Sequence, residues 1–173
     1  MTPQQIQINT SDEFVVRQGI AGVQLDIKST VTSSTEIEIE RRRAVTDLLE
    51  QNDFSLINPK KDASYNLVIS VENGLFMFRV NATQSNDQRM IAVPIGALFQ
   101  SLTDYRALSD QFYAAARLGQ IAQMEALDMQ RRDLHDKAAE ILMTETEQHI
   151  RMDLGTARRL FTLLYVLHVR QAS

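Results

Sequence analysis

A chain of 173 residues, 44% hydrophobic and 23% charged, has the length and balance of one soluble globular domain with a substantial core. Its net charge of −4 argues against a dedicated nucleic-acid binder, which carries a basic surplus. The absence of cysteine excludes disulfides, thiolate zinc sites and cysteine nucleophiles, and it suits a reducing cytosol.

In chain order, residues 1–18 are polar and aperiodic, and disorder is expected there, ahead of a single domain over 19–173. The opening MTPQQIQINTSDEF has neither the basic nor the apolar region of a secretory signal. The most apolar stretch, LFTLLYVLHV, is about half the length of a membrane span, so it reads as a buried helix. A cytoplasmic protein without membrane association is the expectation. In AGVQLDIK, Val23, Leu25 and Ile27 share one face, as in a short half-buried strand. Ser34 or Thr35 can then cap a helix from about Glu36 to Gln51 that packs Ile37, Ala44, Val45, Leu48 and Leu49 inward. Glu40, Arg41, Arg42 and Arg43 are assigned to its charged, solvated face.

NPKKDA is a turn, and YNLVISV, ENG and LFMFRV make a β-hairpin by alternation and turn chemistry. RMIAVP follows as the third strand of a meander that Pro94 ends. From about Ala97 the period becomes helical: Leu98, Leu102, Tyr105, Phe112 and Ala116 share a face, and Gly119 closes the helix. A second helix covers roughly Ile121 to Thr146 and a third Leu154 to Gln171, with Asp153 as the natural N-cap of the third. In the third, Leu160, Phe161, Leu164 and Leu167 should be buried, with His168 among them. The fold class is therefore α+β: a small antiparallel meander with a helical layer, the three C-terminal helices packed on the sheet.

The segments SVENGLFMF, EALDMQRRDLHD and TARRLFTLLYVLH, in this order and spacing, resemble the signature segments of the bacterial uncharacterised protein family 0262, found mainly in alphaproteobacteria. The resemblance runs from about Ile20 to Arg170. It implies a cytoplasmic single-domain protein and carries no established activity, cofactor or ligand. The motif positions it brings to this chain are Asp128, Arg131, Arg132 and His135 on one helix, and Arg158, Arg159 and His168 on the next. Asp133 stands where the family has glycine, Lys137 replaces an acidic residue, and a Ser-Pro helix start becomes GQIAQ. ERRRA keeps the Glu-Arg step but adds arginines where the family is apolar.

On the Ile121–Thr146 helix, Leu127, Leu134, Ala138 and Ile141 define the buried stripe, with Arg131 and His135 beside it and Asp128 and Arg132 further round. Asp128 and Arg132 have the favourable spacing for an ion pair. Two readings follow. Guanidinium forks with an imidazole make a semi-buried anion or phosphate site, which Arg158 can join from the next helix. The commoner arrangement is an arginine–carboxylate network at a helix edge, and that is the expectation for Asp128, Arg131, Arg132, His135, Arg158 and Arg159. No zincin spacing, nucleophile elbow or glycine-rich phosphate loop is present, so neither a metal nor a cofactor is expected. With no complete catalytic set, the residues point to a non-catalytic protein-interaction or regulatory module with a protein partner. The alternative is a protein that handles a phosphate-like anion, and it leaves room for an enzyme.

Overall fold

In the computed structural model, which describes residues 19–28, 33–60 and 63–171, the elements begin with β1 (Gly19–Leu25), α1 (Thr35–Glu50), β2 (Phe54–Leu56), β3 (Ser64–Glu72) and β4 (Leu75–Ala82). They continue with β5 (Gln88–Pro94), α2 (Ile95–Arg117), α3 (Ile121–Thr146), β6 (Ile150–Met152) and α4 (Leu154–Gln171). The disorder expected over residues 1–18 lies outside the described residues.

The meander forms as the alternation requires: β3, β4 and β5 pair antiparallel, and Glu72 opposes Leu75 across the hairpin. Its two-residue turn places Asn73 at φ 50° and Gly74 at φ 75°, the left-handed backbone that a tight I′ hairpin needs. The sheet is mixed rather than wholly antiparallel. β1 joins it as an edge strand parallel to β3, giving the order β1-β3-β4-β5. The physical reason is the connection, because α1 carries the chain back to the starting end before β3 begins. Asn52, just beyond α1, ties this crossover down. It accepts from the Ile20 backbone N–H at 2.8 Å and donates to the carbonyls of Ile20 (3.0 Å) and Leu48 (2.7 Å). Gly19 sits there at φ 118°, and a Cβ would come within 2.4 Å of the Asn52 amide oxygen.

One face of the sheet is covered by helices. Tyr65, Leu67, Ile69, Phe76, Phe78, Val80, Ile91 and Val93 point into a core shared with α4. Leu160, Phe161, Leu164 and Leu167 are fully buried, as their spacing predicts, because α4 lies against α1, α3 and β3. His168 departs from expectation: it is half-buried near the end of α4. Ser34 caps α1 through the Ile37 N–H, and Asp153 caps α4 through the Thr156 N–H at 2.8 Å. A second, two-stranded ribbon of β2 and β6 was not foreseen, since three-residue strands carry no readable period. It is braced by the Asp53 N–H donating to the Thr156 hydroxyl at 2.9 Å.

Candidate functional site

Leu127 and Ala138 of the α3 stripe are buried, and one turn beyond Leu127 the same face presents Arg131. In α1, the buried residues are Glu40, Ala44 and Leu48, a strict spacing of four. Packing α1 and α3 around α4 brings the two charged positions together. Arg131 Nη2 donates to Glu40 Oε1 at 3.0 Å and to the Tyr105 hydroxyl at 3.0 Å. Tyr105 and Tyr113 of α2 donate to the two carboxylate oxygens at 3.4 and 3.3 Å, long for hydroxyl bonds, so the guanidinium carries most of the interaction. The rings of Phe112, Tyr105 and Tyr113 surround the guanidinium carbon at 4.7, 5.4 and 5.9 Å, adding cation–π attraction to a desolvated charge. Glu40 therefore does not belong to the solvated face assigned to it from sequence. The Glu40 side chain is 9% exposed and the Arg131 side chain 13%. Arg41 keeps the expected role, pairing with Glu38 at 3.0 Å.

Burial pushes the Glu40 carboxyl above the usual carboxylate range, against the opposing pull of Arg131, Tyr113 and Tyr105. Burial acts against the Arg131 cation too, but the Tyr105 hydroxyl and Glu40 reverse that and raise its pKa. The Tyr105 phenol is pushed up to about 12, first by burial and then by the Glu40 charge. His135 packs tilted against Tyr105 and edge-on to Phe161, and its Nε2 shares a hydrogen bond with the Thr162 hydroxyl at 3.1 Å. Burial, then the charges of Arg131 and Arg158, lower its pKa to about 4, so the imidazole is neutral at pH 7.

Above this network lies a cleft of about 230 Å³, walled by Arg43 and Asp47 of α1, Arg131 and His135 of α3, and Arg158 and Arg159 of α4. Of the six residues singled out from sequence, four meet here: Arg131, His135, Arg158 and Arg159. Arg158 is oriented by an Nε bond to Asp136, and Arg159 donates to the Gln51 carbonyl at 2.8 Å. Arg132 instead pairs with Asp128 at 2.8 Å on the outer side of α3 and lines a neighbouring cavity. Glu40, Arg43, Tyr105 and Tyr113 were not singled out. A signal for Glu40 existed, since an acid at the stripe position of one helix calls for a cation at the stripe of another. Among the described residues, no group of three or more histidine, aspartate or glutamate side chains is arranged to hold a metal ion. No helix among them is long and apolar enough to cross a membrane.

Fold and cleft together define an α+β protein whose helices enclose a buried acid–arginine pair beneath a basic seam. A family model described as "Uncharacterised protein family (UPF0262)" matches residues 17–170, and the chain belongs to that family. A UPF0262 protein of Sphingopyxis alaskensis is 36% identical, over 92% of this chain and 99% of its own length. One from Novosphingobium aromaticivorans is 34% identical over 87% and 96%, and one from Paramagnetospirillum magneticum 36% over 89% and 98%. No solved structure matches the chain.

Proposed function

We propose that the protein is a non-catalytic, cytoplasmic binding module that takes a phosphate-like anion into the cleft between α1, α3 and α4. The observation that carries this reading is charge: Arg43, Arg131, Arg158 and Arg159 line one cleft against two carboxylates, Glu40 and Asp47. Glu40 is already matched by Arg131 and Asp136 by Arg158, so the surplus comes from Arg43 and Arg159 against Asp47, and the planar forks of these arginines suit phosphate oxygens. Binding is favoured over reaction because the groups able to move protons are engaged. Glu40 accepts from Arg131 and two tyrosines, and the neutral His135 is held by Thr162. Thermal unfolding with and without millimolar orthophosphate tests the proposal, with chloride at equal ionic strength as control. Phosphate should raise the melting temperature of the parent and not that of Arg43→Gln/Arg158→Gln. Equal responses in the two proteins would sink the reading.

A protein partner is the second reading, favoured by Leu118, Ile121 and Met129, large apolar side chains left exposed at the α2–α3 turn and along α3. Replacing Leu118 and Ile121 with serine should remove a stoichiometric co-purifying partner and leave the phosphate response intact. Retention of that partner by the double variant counts against this surface.

A further inference from the structure

The cleft does not end at α4. His135 and Arg158 also line a second cavity, of about 340 Å³, whose other walls are Arg132 and Asp136. Two residues common to both linings, His135 of α3 and Arg158 of α4, make the cavities neighbours across one shared wall. Arg43 lines the first cavity and not the second, whereas Arg132 lines the second and not the first. The two linings together hold five arginines, Arg43, Arg131, Arg132, Arg158 and Arg159, against Glu40, Asp47 and Asp136, with Asp128 paired to Arg132 beside them.

We infer that the ligand is a small polyanion with two linked phosphate groups, one in each cavity, and that Arg158 at the shared wall contacts both. This deepens the anion reading and rests on it. The arginines are set for the task. Arg158 is anchored through Nε to Asp136, Arg159 through Nη1 to the Gln51 carbonyl at 2.8 Å, and Arg132 through Nη2 to Asp128 at 2.8 Å. The Arg158 and Arg159 anchors each use one N–H of a guanidinium that carries five, so their remaining donors are oriented before a ligand arrives and less rotamer entropy is lost on binding. Arg132 is exposed and, among the described residues, held by its ion pair alone. Nucleic acid offers linked phosphates too, but a chain of net charge −4 repels a long polyanion, and two neighbouring cavities take a short one.

Calorimetric titration with inorganic pyrophosphate and with orthophosphate tests the inference on the full chain, using the parent, Arg132→Ala and the control Arg79→Ala on the sheet. Pyrophosphate should bind the parent about tenfold tighter than orthophosphate, the increment of one further charge-assisted contact. Arg132→Ala should abolish that advantage and leave orthophosphate affinity unchanged, while Arg79→Ala alters neither. Equal affinities for the two anions, an Arg132→Ala protein that keeps the advantage, or tighter binding of a short single-stranded oligonucleotide each overturn it. If neither anion binds the parent, the anion reading itself falls. If orthophosphate binds and Arg132 is irrelevant, the two-phosphate inference falls alone.

Discussion

Arg131 and Arg132 are neighbours in sequence and each holds one carboxylate, yet they lie in opposite physical regimes. Arg132 pairs with Asp128 one turn back on its own helix, with its side chain 76% exposed. Water screens that pair, and both side chains lose rotamer freedom to form it, so it contributes little. Arg131 reaches across to Glu40, 91 residues away, inside a ring of aromatic side chains. There the attraction is weakly screened, but both charges have lost their hydration, so the pair as a whole need not stabilise the fold. What it does is make each partner indispensable to the other. The lesson is that a buried pair is read by what its removal strands, and an exposed pair by what it adds.

Three measurements sharpen or break that contrast. The largest effect should come from Arg131→Ala, which strands the Glu40 carboxylate. Breaking a buried pair typically costs 3–5 kcal/mol, but Glu40 can escape by taking a proton. From its ordinary pKa of 4.5 that costs about 3 kcal/mol at pH 7 and under about 1 kcal/mol at pH 5. The loss relative to parent should therefore be about 3 kcal/mol at neutral pH and should shrink as the pH falls. A loss that does not change with pH would falsify the buried-carboxylate account.

Next comes the imidazole of the same seam. The folded pKa of His135, about 4, lies below its ordinary 6.5, so between those values the unfolded chain binds more protons. Stability should hold above pH 6.5 and fall as the pH drops towards 4, by up to about 3 kcal/mol on the acid side. Denaturant melts of parent and His135→Gln across that window isolate the contribution, and parallel curves would mean a solvated imidazole. The smallest effect belongs to Arg132→Ala: under about 0.5 kcal/mol, and vanishing in molar salt. A loss comparable to that of Arg131→Ala would erase the distinction between the two faces of α3.

Local signals were legible in the residues themselves. The Asn73–Gly74 turn, the alternation of β3 to β5, the caps at Ser34 and Asp153 and the apolar stripe of α4 depend on neighbours within a few positions, and chain chemistry alone specifies them. The Asp128–Arg132 pair belongs with them, because helical spacing sets it. Other features needed the assembled fold. β1 runs parallel to β3 because α1 carries the chain back between them, and the β2–β6 ribbon joins segments nearly a hundred residues apart. Glu40 lies four residues before Ala44 on a stripe that periodicity already marked as inward, but a carboxylate is placed inside only when a cation is there to meet it. That cation is Arg131, and its approach is set by how α1, α3 and α4 pack together. The same packing gathers Arg43, Arg158 and Arg159 around one cleft. Residue type and spacing thus decided which helices form and which faces they bury. Tertiary packing decided which charges meet, since Coulomb and desolvation energies depend on distance and dielectric, and neither is written along the chain.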